Sequence, residues 1–295
     1  MQSKFPGKVL PFVLFLPSVV ISVLFLYYPA FQTFLLSFHK TAFFGKKKLY
    51  VGWENFIETF TSLDYLNTVW VSMVFSAGVV IFGLALSIGT ALLVNQTIRL
   101  KRIYVMILLL PYALSPVLAG IIWLFLFSPT AGIINYFLNL FFGIEPDWIG
   151  QGHLALIMVI VTTVWKNFGY NLVFVLAGLQ NIPGEVLQAA EMDGASSFRR
   201  LWEVTLPLLS PILFFLVVMN LIYSFFGTFG IIDIMTKGAP LNSTNIMIYN
   251  LYRTAFIYTK SGSAATQSVI LFALVAGLTL LQFRATRGRV FYSGA

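Results

Sequence analysis

The chain has 295 residues, 59% of them hydrophobic and only 9% charged, where a soluble domain carries roughly 25% charged residues; a water-soluble globular protein is therefore excluded in favour of an integral membrane one. With no Cys, disulfides, thiol nucleophiles and cysteine metal sites are excluded, and His39 and His153 stand too far apart to read as a ligand pair. The net charge of +8 does not point to nucleic acid, because the basic residues gather at the ends of apolar segments.

Residues 1–8 are polar and carry Lys4 and Lys8. Residues 9–31 form the first expected span, broken by Pro17; it is longer than a signal-peptide core and no small-residue cleavage site follows, so it reads as a retained helix. Residues 33–65 read as a long loop with the basic run Lys46-Lys47-Lys48. Further spans are expected at 66–94, at 103–127 with Pro111 and Pro116 inside it, and at 154–179, 206–229 and 264–281. Loops are expected at 128–152, where Trp148 suits a membrane interface, and at 230–263. Each span is near the twenty or so residues that cross hydrocarbon. The expected fold is an all-α integral membrane domain of six transmembrane helices. Its parts are an N-terminal helix and loop at 1–65, a core at 66–284 and a basic tail at 285–295 with Arg287 and Arg289.

Six spans put both termini on one side. That side carries Lys4, Lys8, Arg99, Lys101, Arg102, Arg199, Arg200, Arg284, Arg287 and Arg289 against four acids, a net +6, while the opposite side nets +1. The bias places the termini in the cytoplasm and Lys46–Lys48 in a long periplasmic loop, where the charge rule weakens.

Between the fourth and fifth spans, residues 182–211 read IPGEVLQAAEMDGASSFRRLWEVTLPLLSP. The stretch is too polar to cross a bilayer and too short to be a domain. Pro183 favours a helix start and Asp193-Gly194 a stop, so a short helix is expected over Gly184–Met192. Held between two spans, such a helix can dock into a soluble partner and pass force to the membrane.

Lys166 is the most informative single residue, a cation near the middle of the fourth span in VWKNFGYN. A charge there costs about 2.5–3.5 kcal/mol on insertion scales and marks a site facing the bundle or a cavity. Ligand contact, pairing with a carboxylate inside the bundle, and snorkelling each account for it; an anionic ligand suits it, with Asn167, Tyr170 and Asn171 nearby. Tyr112 lies between Pro111 and Ser115-Pro116, where two prolines free carbonyls and bend a helix, to form a gate or pocket wall or only a packing kink. In the fifth span Asn220, Tyr223, Ser224 and Thr228 make one polar stripe, which either lines a substrate path or joins neighbouring helices. The chain has no G-x-x-x-x-G-K-[ST], H-E-x-x-H or G-x-S-x-G, and no acid pair within a span for a proton relay. Energy for uphill transport is therefore expected from another chain. A secondary transporter or channel would need an ion or proton site that the sequence lacks, and a membrane enzyme would need more than a lone lysine.

The 182–211 stretch resembles the EAA loop of ABC importer permeases, through Ala189, Ala190, Asp193, Gly194, Ala195, Leu206 and Pro207; Gln188 stands where that family usually has glutamate. LLPYALSP, VWKNFGYN, TKGAPLNST and NLYRTAF extend the resemblance to the maltose-type sugar permeases, and among these to the permeases of sn-glycerol-3-phosphate importers. The resemblance implies the type I ABC importer permease fold, with the EAA loop as a cytoplasmic coupling helix docked on an ATPase. It implies a second homologous permease in a heterodimer, two copies of the ATPase subunit, and a periplasmic substrate-binding protein. ATP and Mg are expected at the ATPase and no cofactor on this chain, which is a translocation subunit of the inner membrane and not an enzyme. By resemblance, Tyr112, Lys166, Asn167, Leu221, Phe225 and Thr228 match pocket-facing positions; Tyr170 is added as the neighbour of Lys166, and Asn220 and Ser224 from the stripe. Lys166 favours a phosphate ester, sn-glycerol-3-phosphate with glycerophosphodiesters as further candidates, over the alternative of a neutral sugar or oligosaccharide.

Overall fold

A computed structural model describes residues 9–42, 47–96 and 100–286. Lys4, Lys8, Lys46, Arg99, Arg287 and Arg289 of the charge argument lie outside the described residues. The described residues group into two compact units, one of those up to 63 with 251–272, the other of those in 64–250 with 273–286.

In the first unit, helix α1 (Pro11–Leu36) is apolar along its length, and no residue in its most apolar window is buried. The long loop expected over 33–65 holds an antiparallel hairpin and a helix. Strand β1 (His39–Ala42) pairs with β2 (Lys47–Tyr50) in the register His39 to Tyr50 and Lys40 to Leu49. Helix α2 (Glu54–Thr61) follows. Its sequence alternates at helical period, turning Asn55, Phe56 and Thr59 inward. Asn55 Nδ2 donates to the carbonyls of Ser37 and His39 at 2.8 and 3.0 Å, tying helix to hairpin. Lys40 Nζ reaches Glu58 at 2.6 Å and Glu54 at 3.0 Å; hydrogen bonds to Glu58 and then Glu54 hold its pKa above the usual lysine value.

In the second unit, α3 (Leu63–Asn95) is the longest helix. The expected third span is two helices, α4 (Lys101–Ala113) and α5 (Pro116–Leu126), bent by 100°. Leu114 and Ser115 are extended at the break, as the residue before a proline must be, and Ser115 Oγ caps α5 by accepting from Leu118 N. The loop expected at 128–152 contains helix α6 (Ile133–Phe142), whose apolar residues fall on one side. Next come α7 (Gly152–Gln180), α8 (Gly184–Met192) and α9 (Ser197–Gly227). The fifth span thus starts nine residues earlier than expected, because the helix runs through Leu201–Thr205 as a π-turn ahead of Pro207 instead of stopping at the proline. The loop expected at 230–263 likewise carries short helices α10 (Phe229–Met235) and α11 (Met247–Tyr252). The last helix, α12 (Ser261–Thr286), belongs to the first unit up to Phe272 and to the second from Ala273. Five described helices are long and apolar enough to cross a membrane, and the bent α4–α5 pair is the sixth if it counts as one span.

The core of this unit forms where α3, α7 and α9 meet: Ala91, Leu172, Val175 and Leu216 are fully buried, with Leu209 at 1% exposure. Gly178 lets α9 approach, since a Cβ there would come within 2.5 Å of Ile212 Cδ1 and 2.6 Å of Leu209 Cδ2. Gly169 does the same for α4, with Leu109 Cα and Tyr112 Cβ at 3.2 Å from a Cβ.

Candidate functional site

Polar residues on the buried side of α7 meet one of two fates. Most are matched. Thr162 and Thr163 hydroxyls donate to the carbonyls one turn back, Met158 O at 2.8 Å and Val159 O at 2.7 Å. Asn220 on α9 is the hub of a three-asparagine cluster. Its Oδ1 accepts from Asn167 Nδ2 at 2.9 Å and Asn171 Nδ2 at 3.1 Å, and its Nδ2 donates to Asn171 Oδ1 at 2.8 Å and Leu216 O at 2.7 Å. One helical turn on, the hydroxyls of Ser76 on α3 and Ser224 stand 2.6 Å apart, and Thr228 Oγ1 donates to Ser224 O. Asn220, Ser224 and Thr228 are each 1% exposed or less. Asn220 and Ser224 thus bond to neighbouring helices, and Thr228 to its own.

Lys166 meets the other fate. Its side chain lies on the same face of α7 and the residue is 8% exposed. Among the described residues no carboxylate pairs with it. Its ammonium sits instead over two aromatic faces, 4.9 Å from the ring centre of Tyr112 and 5.5 Å from that of Tyr223. A ring face attracts a cation through its quadrupole but supplies no anion. Tyr112 reaches this place from the last turn of α4, where the break before α5 begins, and its ring packs on Tyr170 at 5.7 Å. Tyr170 in turn packs on Phe174 at 4.9 Å. Tyr112 itself is 44% exposed, so the cluster opens at one edge.

The structure thus brings Tyr112, Lys166 and Tyr170 together, with Asn167 one residue from the lysine. Leu221 is half-buried and Phe225 buried; both are apolar and add wall rather than polar contact. Tyr223 is the residue absent from the expected site. It stands in the stripe between Asn220 and Ser224, for which the sequence leaves both lining a path and joining helices open. A lone cation, aromatic faces and amides can hold an anion by charge and hydrogen bonds.

The second candidate region is the polar stretch. Helix α8 has the bounds expected from sequence. Gly194 follows it at φ +76°, a left-handed conformation that glycine adopts without strain. Ala195 N then bonds back to Ala190 O and Gly194 N to Glu191 O, closing the helix end. A Cβ on Gly194 would meet nothing within 4 Å, so the conformation and not crowding calls for glycine. Arg200 Nη1 pairs with Glu191 Oε2 at 2.9 Å, fastening α8 to the start of α9. Gln188, Ala189, Asp193 and Gly194 are exposed, Ala190 and Ala195 half-buried, and Leu206 and Pro207 half-buried in α9. The surface around them is unusually apolar for a charged loop, with Met192 88%, Phe198 73% and Trp202 58% exposed.

Comparison with known proteins gives three kinds of likeness. The family profile described as "Binding-protein-dependent transport system inner membrane component" matches residues 80–287. The sn-glycerol-3-phosphate transport system permease protein UgpA of Rhizobium meliloti (strain 1021) is 40% identical over 290 residues, 98% of each chain. The protein of the same name from Pectobacterium atrosepticum is 41% identical over 288 residues, 98% of this chain and 97% of the other. A chain in the crystal structure of a bacterial alginate ABC transporter, in complex with an alginate pentasaccharide-bound periplasmic protein, superposes with a TM-score of 0.81. It covers 95% of this chain and 94% of that one at 20% identity, a likeness of fold alone.

Proposed function

The chain belongs to the family of binding-protein-dependent transport system inner membrane components, and from that membership we propose that it is the permease subunit of an ATP-driven importer of sn-glycerol-3-phosphate. The observation that carries the substrate is Lys166, a buried cation with no carboxylate on it among the described residues. A phosphate ester supplies the missing charge, and a lysine ammonium holds phosphate as a point charge with three donors and no fixed geometry. One cation also keeps binding weak enough for release on the far side. The names of the relatives, at about 40% identity along nearly the whole chain, support the same substrate.

ATP hydrolysis is assigned to a separate cytoplasmic ATPase present in two copies, with a second homologous permease completing the membrane path and a periplasmic binding protein delivering substrate. Helix α8 is the surface offered to the ATPase, its apolar neighbours Met192, Phe198 and Trp202 forming the contact. Both termini and Arg199 are placed in the cytoplasm and Lys47 in the periplasm, on the charge asymmetry of the flanking loops.

Lys166→Met is the test. Uptake of sn-glycerol-3-phosphate by proteoliposomes holding the complete importer should fall about ten- to a hundredfold, the cost of one hydrogen bond to a charged group, with the yield of assembled complex intact. Full uptake removes Lys166 from the path and favours a neutral sugar. A fall in assembled yield, restored by neutralising an acid of the partner permease, makes Lys166 half of a structural pair instead.

A further inference from the structure

We propose that Tyr223 is a specificity-determining residue of this site, its hydroxyl donating a hydrogen bond to the same phosphate that Lys166 holds. The inference rests on the reading of Lys166 just given and adds to it a second, uncharged contact. Among buried polar side chains near Lys166, Tyr223 Oη stands out. It is out of reach of solvent and has no hydrogen-bond partner among the described residues. Its stripe neighbours are all matched: Asn220 to Asn167 and Asn171, Ser224 to Ser76, Thr228 to its own helix. A buried phenol left without an acceptor is costly, so a fold that satisfies every neighbour and not this one has left a donor for something that is not part of the chain.

The phenol is held in place by two features of the helix that carries it. Residues Tyr223–Gly227 form a π-turn, the kind of local widening that gathers at functional sites. The ring then lies against Gly227: a Cβ there would come within 2.5 Å of Tyr223 Cδ2 and 2.8 Å of Cε2. Any larger residue at 227 would force the ring to shift from its present place, 5.5 Å from Lys166 Nζ at its centre. The two donors thus share one patch, one charged and one neutral. Oη is shut off from solvent in this conformation, so a tetrahedral anion reaches it only as the surrounding helices part, and its several oxygens then accept from both donors at about 2.8 Å each. A neutral sugar leaves the ammonium without an anion, and a site with a buried polar group left unmatched discriminates strongly against such a ligand.

Tyr223→Phe separates the hydroxyl from the ring, because phenylalanine keeps the packing on Gly227 and the aromatic face under Lys166. In proteoliposomes containing the complete importer and its binding protein, kcat/KM for sn-glycerol-3-phosphate uptake should fall about ten- to a hundredfold, with assembled complex recovered at wild-type yield. Gly227→Ala, which displaces the ring without touching the hydroxyl, should reproduce the loss. Lys166→Met is measured alongside. Full uptake by Tyr223→Phe beside a defective Lys166→Met overturns the role of Tyr223 and leaves that of Lys166 standing. Full uptake by both sinks the site as a whole. A drop in complex yield for Tyr223→Phe, with normal uptake per assembled complex, assigns the hydroxyl to a partner subunit and likewise overturns the proposal.

Discussion

Helices α1 and α7 are both apolar enough to span a bilayer, yet they are opposites. The most apolar window of α1 has a mean hydropathy of 2.1 and is 0% buried; that of α7 has 1.3 and is 67% buried. In a soluble protein the more hydrophobic helix would be the inner one. Here the order is reversed, because lipid tails are as apolar as leucine and impose no cost on an exposed apolar helix. What drives a membrane helix inward is the polar groups it carries, since each needs a partner that hydrocarbon cannot give. Thr162, Thr163, Asn167 and Asn171 find theirs within α7 or on α9, and Lys166 finds two ring faces. The difference teaches that the helix to search for function is the least hydrophobic span.

Truncating a packed apolar side chain should separate the two helices most sharply. Leu172 is fully buried on α7, and Leu172→Ala should cost about 2–4 kcal/mol through the cavity it leaves, read from denaturant unfolding in detergent. A cost under 1 kcal/mol would show that the α3–α7–α9 core collapses freely.

Asn220→Ala follows, at about 2 kcal/mol. It strands the amide donors of Asn167 and Asn171 together with the Asn171 carbonyl, and an unmade buried hydrogen bond costs about 1–3 kcal/mol. The same unfolding measurement reads it. A result near 0.6 kcal/mol, the average for such bonds in membrane helices, would mean that the freed amides re-pair with each other.

Gly178→Ala should cost about 1–2 kcal/mol by pressing a methyl on Ile212 and Leu209. The ends of both side chains can shift, which keeps the effect below that of Leu172→Ala. A thermal melting curve of the purified complex tests it, and an unchanged midpoint would mean that the α7–α9 contact has slack.

The smallest effect belongs to α1. Leu16 is 61% exposed, and Leu16→Ala should change stability by no more than about 0.5 kcal/mol in the same unfolding assay. A loss approaching that of Leu172→Ala would break the comparison, showing that another subunit covers α1 in the assembled complex.

Much of this was legible without coordinates. Hydropathy alone marks the apolar spans, because any run of about twenty apolar residues crosses hydrocarbon whatever it packs against. The bounds of α8 were readable for a similar reason: Pro183 and Gly194 act through their own backbone, and such signals need no tertiary partner. Lys166 announced itself by its cost, which is a property of the residue and of the bilayer. The hairpin and α2 were missed within 33–65 because four-residue strands carry almost no periodic signal, and their stability comes from Asn55 reaching Ser37 and His39 across the fold.

What the tertiary structure alone decided is how the polar residues divide. From sequence, Asn220, Ser224 and Thr228 look as fit as Lys166 to line a path, since a stripe on one helix has no label for what faces it. Only the approach of α3 and α7 settled that the first two bond to neighbouring helices while Thr228 bonds within its own. Tyr223 needed the same information in reverse. Its hydroxyl becomes conspicuous because every polar neighbour on the stripe is matched and it has no partner among the described residues. Identity and spacing set each side chain's needs, and three-dimensional proximity determines which of those needs the chain meets itself.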